Sequence, residues 1–107
     1  YRREVNKLTY QKEIVSQIPN SHLLKENSGR ITKDTWTIDH IYSVQDGFNN
    51  NVPPEIIAHP ANLRIITYSE NSSKNSKSFI TLKQLLDKIS EPLEKDFLDR
   101  ITPKGSL

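Results

Sequence analysis

The sequence predicts a small α+β domain, and three observations carry that expectation. Thr35 to Ser43 is β-branched and aromatic with clean alternation, and Leu63 to Thr67 (LRIIT) is a second, shorter run of the same kind. Residues 2–16 repeat apolar side chains at roughly 3.6-residue spacing, as do residues 81–101. At 107 residues the chain has enough length for one modest core and not for two, so residues 1–107 are read as a single domain.

Each element follows from its own signals. In residues 2–16 the side chains of Val5, Leu8, Tyr10, Ile14, Val15 and Ile18 form the apolar stripe of one helix, with Arg2, Arg3, Lys7 and Lys12 mostly off it. Pro19 ends that helix, and Asn20-Ser21 makes a turn. Residues 20–34 read as loop, anchored by Leu23-Leu24, turned at Ser28-Gly29, and carrying Arg30 and Lys33 just ahead of the first strand. In the strand, Trp36, Ile38, His40 and Tyr42 share one face, while Thr35, Thr37, Asp39, Ile41 and Ser43 share the other. Neighbours in a regular strand point to opposite sides. Asp39 and His40 can therefore meet only where the strand bends or ends, which is expected at about His40.

Residues 44–61 form a long connection, with a turn at Asp46-Gly47 that continues through Asn49-Asn50-Asn51. Pro53-Pro54-Glu55 opens a helical turn carrying Ile56 and Ile57, closed by His59-Pro60. Its own apolar residues predict an ordered loop, and one this long in a small domain is usually functional. After the second strand, Ser69 is the expected N-cap of a short polar helix, with Glu70 in its first turn and Asn71 and Lys74 on neighbouring turns of one face. Thr81 caps an amphipathic helix with Leu82, Leu85, Leu86 and Ile89 inward. Ser90-Glu91-Pro92 starts another, with Leu93, Phe97, Leu98 and Ile101 inward, and Pro103 and Gly105 end the ordered part.

Composition excludes several classes. With no cysteine, disulfides and thiolate zinc sites are impossible, leaving His, Asp, Glu, Asn and backbone oxygens as metal ligands. No apolar run approaches the roughly 18 residues that span a membrane, and no secretory segment stands at the start. The chain begins at Tyr1 rather than Met, which predicts a processed or excised piece. A net charge of +2 says little by itself, but residues 1–34 hold seven Lys/Arg against four Asp/Glu. That excess fits the phosphates of DNA as readily as it fits a solvated surface, with Arg2, Arg3, Lys7 and Arg30, and Lys77 further along the chain, as candidate contacts.

The chemistry gathers in residues 36–78. Asp39-His40 closes the first strand, Asn62 opens the second, and Asn71 and Lys74 lie on the helix that follows. Singly, each has an ordinary reading: a core His satisfied by a carboxylate, a turn Asn, a capping Asn. Together, on a strand–loop–strand–helix frame, they point to a hard divalent cation beside a general base. Phosphodiester hydrolysis needs an activated water, an electrophile on the phosphate and charge neutralisation at the leaving oxygen. Asp39 and Asn71 suit a magnesium ligand pair, His40 is then free to take the proton, and Asn62 is suited to holding the loop against His40.

The runs IDHI, ANLRIIT and ENSSKNSK, in that order, resemble the HNH endonucleases, whose active site is the ββα-metal (His-Me) finger. The similarity is greatest to cysteine-free phage and intron-encoded homing endonucleases, extends through the loop DGFNNNVPPEIIAHPANL and an N-terminal YRREV-type helix, and covers roughly residues 1–80. It implies a ββα-metal core with one helix before it and two after it. It implies that His40 is the general base, Asp39 and Asn71 the metal ligands, Asn62 the residue that orients the base, and Lys74 a cation approaching the scissile phosphate. The implied cofactor is one Mg2+ or Mn2+ per site, and the implied products carry 5′-phosphate and 3′-hydroxyl ends. The setting would be intracellular, the cytoplasm of a bacterial host, with phage-encoded enzymes among the relatives. So small a surface cannot read a long site, so a partner protein or dimer would supply specificity. Many such enzymes carry CxxC zinc knuckles, whereas here Thr67 and Glu70 stand in the places of one pair. Asn71 in place of His favours magnesium or manganese over softer metals. His59 reads as loop structure. A non-catalytic DNA-binding module that keeps the finger as scaffold is the alternative from another class, with steep salt dependence and no need of a divalent ion; a third is an Asp/His metal-binding structural domain without nucleic acid.

Overall fold

The computed structural model describes residues 1–89. They form a mixed α and β structure around a two-stranded antiparallel sheet. In chain order the elements are α1 (Arg2–Thr9), α2 (Lys12–Val15), a 3-10 turn (Ser21–Glu26), β1 (Trp36–His40), α3 (Val44–Asn49), α4 (Pro54–Ile57), a second 3-10 turn (Pro60–Asn62), β2 (Leu63–Thr67) and α5 (Tyr68–Lys74). A further helix, α6, starts at residue 82 and continues to residue 89, where the described residues end. The helix expected from Ser90 onward lies outside the described residues.

The expected helix over 2–16 is two helices. Gln11 adopts an extended conformation (φ −64°, ψ 138°) and divides them. The reason is packing: Val5 and Leu8 join a core with Tyr42, Val44, Val52, Ile57, Ala58 and Leu85, whereas Ile14, Val15 and Ile18 join Ile38 and Leu63. One straight helix cannot supply both clusters. Tyr10, at the break, is 63% exposed rather than part of the stripe.

The sheet has a simple register. Asp39 faces Arg64 and His40 faces Leu63 across the strands, and β1 ends at His40, where a break was expected if Asp39 and His40 were to meet, although the alternation itself runs on to Ser43. Because directly opposed residues share a face, Trp36, Ile38, His40, Leu63, Ile65 and Thr67 line one side of the ribbon, and Thr37, Asp39, Arg64 and Ile66 the other. Ile38 and Leu63 pack against Ile18 on the first side, with Leu24 of the loop anchor beside them. The second side receives α5.

The connection between the strands is more helical than expected. Asp46-Gly47 lies inside α3, because the Ser43 hydroxyl accepts the Asp46 N–H at 3.0 Å and caps a helix there. Gly47 is needed for close approach, since a Cβ would stand 2.6 Å from the Tyr1 hydroxyl and 2.8 Å from Ile57. Asn51 takes the left-handed conformation (φ 55°) that turns the chain toward α4. His59 is loop structure, as read: its Nδ1 accepts the Ala61 N–H at 3.0 Å and caps the second 3-10 turn.

The N-cap of α5 is Thr67 rather than Ser69. Thr67 Oγ1 accepts the Glu70 N–H and Glu70 Oε1 accepts the Thr67 N–H, each at 3.2 Å, a capping box that starts the helix at the last strand residue. Thr67 and Glu70 are thus joined by reciprocal hydrogen bonds. In α6, Thr81 caps as expected, Leu85 is fully buried, and Leu82 and Ile89 pack on the first core, but Leu86 is 42% exposed.

Candidate functional site

Asn62 sets the end of β1 in place. It is fully buried, and its side chain forms three hydrogen bonds: Oδ1 accepts the Tyr42 N–H at 2.7 Å, and Nδ2 donates to the carbonyls of Tyr42 (3.0 Å) and Ile57 (2.9 Å). Its own carbonyl accepts the Ile41 N–H at 2.8 Å. The amide does bridge the long connection. It grips the residues following His40 rather than His40 itself, so any effect on the imidazole passes through the backbone.

With the strand ended there, Asp39 and His40 line one cleft of about 360 Å³ despite belonging to opposite faces. One wall is α1, through Arg2, Asn6 and the exposed Tyr10 just beyond it. Arg2, Asn6 and Tyr10 are four residues apart in sequence, which puts them along one helix face. The opposite wall is α5 and the residues after it, through Asn71, Ser72, Lys74, Asn75 and Ser76. Asn75 has φ 57° and ψ −133°, a strained conformation for a side-chain-bearing residue, as the chain leaves the helix.

His40 Nε2 lies 3.0 Å from the hydroxyl of Thr9, which is fully buried in the last turn of α1. Burial lowers the imidazole pKa to about 4; the Asp39 carboxylate opposes this, and the Lys74 and Arg2 charges add to it. The ring is therefore neutral at pH 7.

Asp39 is 3% exposed and holds two cations. Oδ2 accepts from Arg64 Nε at 2.7 Å, and Oδ1 lies 3.1 Å from Lys74 Nζ. Lys74 also donates to the His40 carbonyl at 2.8 Å. It is buried against the strand and does not project toward solvent as a phosphate contact would, because the buried carboxylate holds it there. Asn71, one turn earlier, donates Nδ2 to Thr37 Oγ1 at 3.0 Å. Its amide oxygen has no hydrogen-bond donor among the described residues. No group of three His, Cys, Asp or Glu side chains that could hold a metal ion converges among the described residues, and both oxygens of Asp39 are already paired with cations.

Of the expected DNA contacts, only Arg2 lines this cleft. Arg3, Lys7 and Arg30 are exposed elsewhere, and Lys77 borders a second cleft with Arg64, Glu70, Lys74 and Phe79. Thr9 and Arg64 are the site residues that the sequence reading missed. Thr9 had a signal, since it stands four residues after Val5 on the buried face of α1. Arg64 had one only once the strand register was known.

Comparison with protein-family models, with curated proteins and with solved structures finds no match for this chain.

Proposed function

We propose that the chain is a metal-dependent DNA endonuclease in which β1, β2 and α5 form a ββα-metal finger. The observation that carries this reading is the meeting of Asp39, His40 and Asn71 in one cleft at the end of β1.

The donor set suits the implied cation. Asp39 and Asn71 offer hard oxygens from facing elements, which fits magnesium or manganese, with remaining positions left to water and phosphate. Such an ion, when bound, polarises the phosphate and neutralises the leaving oxygen. The protein's own groups do the rest. His40 is neutral at physiological pH, the form that can accept a proton from water. Asn62 fixes the strand end that carries it. Arg2, on the cleft wall, is placed to pair with a DNA phosphate. A partner protein or second copy would supply the sequence specificity that so small a surface lacks.

The test is supercoiled plasmid incubated with the purified protein and magnesium, manganese or chelator, beside His40→Ala. Nicking or linearisation that needs the metal and is lost in the variant is expected. Full cleavage by His40→Ala, or cleavage indifferent to chelator, ends the proposal. One observation favours a non-catalytic DNA-binding module instead: Arg64 and Lys74 already occupy both oxygens of Asp39. That reading requires salt-sensitive DNA binding without a divalent ion and no cleavage under any metal.

A further inference from the structure

Lys74 is the only buried Lys or Arg among the described residues, and Asp39 is the only carboxylate in the cleft. An ammonium removed from water is tolerated where a carboxylate and further acceptors compensate it, and here Asp39 Oδ1 at 3.1 Å and the His40 carbonyl at 2.8 Å do so. The same carboxylate is the charged ligand that the proposed metal site requires. A divalent ion on Asp39 and an ammonium on Asp39 are like charges competing for one group at a few ångströms, where a low dielectric strengthens their repulsion.

From this we infer that Lys74 is the buried counter-cation of Asp39, holding Oδ1 while Arg64 holds Oδ2, and that a divalent ion takes Oδ1 only by displacing Lys74. The inference rests on the metal-site reading proposed above and adds to it a lysine with two positions. The neighbouring cleft offers room for the second position. Lys74 borders two clefts, the one holding His40 and the one lined by Arg64, Glu70, Lys77 and Phe79. Glu70 lies four residues before Lys74 on α5, the spacing and order that favour a Glu–Lys pair on a helix. Only Oε1 of Glu70 is engaged, by the Thr67 cap. The Phe79 ring, 5.6 Å from Nζ in its present position and 4.9 Å from the Arg64 guanidinium, closes that second cleft, and the free oxygen of Glu70 is the carboxylate a displaced ammonium would meet there. The consequence is a site that is electrostatically satisfied without metal and binds metal weakly, because every binding event must exchange one cation for another.

Two measurements test this, neither of which depends on cleavage. The first is Mn2+ titration by calorimetry of the parent, Lys74→Met, Lys74→Gln and Asp39→Asn. The Lys74 variants should bind Mn2+ on the order of ten-fold more tightly than the parent, and Asp39→Asn should abolish binding. The second is acylation of lysines in the parent, read by mass spectrometry. Lys74 should be protected without metal and become reactive at saturating Mn2+, with exposed Lys77 reactive throughout. If Asp39→Asn abolishes binding but neither Lys74 variant binds more tightly, or Lys74 stays protected at saturation, the displacement is overturned and the Asp39–Asn71 site stands. If no protein binds Mn2+, or Asp39→Asn binds it unchanged, the site itself falls and the displacement with it. Should both Lys74 variants fail to fold by circular dichroism, the acylation result on the parent decides.

Discussion

The two faces of the β1–β2 ribbon are one pleat apart and are stabilised by opposite means. On one, Ile38 and Leu63 pack against Ile18, with Ile65 and Leu24 at the edge. On the other, Asp39 is held between Arg64 and Lys74 under α5, with Thr37 bonded to Asn71. The first depends on buried area, which is non-directional and degrades gradually when a side chain is trimmed. The second depends on partners in fixed positions, and losing one leaves another buried and uncompensated. His40 stands where the faces meet: its ring belongs to the apolar side, but its carbonyl accepts from Lys74 on the polar side. A small domain gains little from a buried ion pair for stability alone, so such a pair on one face of a two-stranded sheet is where functional chemistry is to be sought.

The largest expected effect tests that contrast directly. Asp39→Ala leaves the Lys74 ammonium buried without its carboxylate and should cost about 3–5 kcal/mol in denaturant unfolding. Ile38→Ala on the other face should cost less, roughly 2–4 kcal/mol, as an ordinary truncation in a partly collapsible site. The double variant Asp39→Ala/Lys74→Met should lose well under the sum of its two single losses, because the uncompensated charge goes too. If the two single faces cost the same and the double is additive, the polar face is packing like the apolar one and the contrast fails.

The next effect is a pH dependence. The folded pKa of His40, about 4, lies below its unfolded value of about 6.5. Between those values the unfolded chain binds the proton more readily. The stability contributed by the neutral ring is therefore complete above pH 6.5, falls as pH drops, and levels off below about 4. The full difference is up to about 3 kcal/mol. His59 is also lowered by burial and adds loss in the same direction. The measurement is urea unfolding of parent and His40→Asn in chelator from pH 7.5 to 4. The parent curve should fall more steeply with acid, and parallel curves would show that the imidazole is not buried in solution as it is here.

Much of the frame is legible in the sequence, and the reason is local. Alternation placed β1 and β2, the need for Asp39 and His40 to converge put the strand end at His40, and helical spacing put Asn71 and Lys74 on one face of α5. What stayed hidden was what depends on pairing across the chain. The break at Gln11 follows from two separate cores, which no single stripe reveals. Asp39 meets Arg64 because they are opposite in register, and Lys74 turns inward because that carboxylate is buried; both facts are invisible until the strands are aligned. Thr67 outcompeted Ser69 as cap because a strand end with the right dihedrals already faced Glu70. The proposed nuclease chemistry rests on residue types and a resemblance; what the fold adds is that Asp39, His40 and Asn71 line one cleft.

The smallest expected effect bears on how the two faces cooperate. A neutral imidazole has one acceptor nitrogen, and the hydrogen bond at Nε2 decides which. If Nε2 carries the hydrogen and donates to Thr9 Oγ1, 3.0 Å away, Nδ1 is left to take a proton from water. In the opposite tautomer the Thr9 hydroxyl occupies Nε2 and Nδ1 is already protonated, so the ring has no acceptor for chemistry. Thr9 is thus a positioning residue for the proposed base, acting from α1 on a group held by β1. Thr9→Val should cost about 1 kcal/mol in stability, the worth of one hydrogen bond. It should also lower kcat with little change in KM, on the order of ten-fold out of the roughly 10²–10⁴-fold that a positioned base contributes. Thr9→Ser, which keeps the hydroxyl, should restore the rate, and 15N spectra of the imidazole should show the tautomer shift only in the valine variant. A valine variant that loses stability but keeps kcat and the parent tautomer would reduce Thr9 to packing and leave the orientation of His40 to the Asn62-held backbone alone.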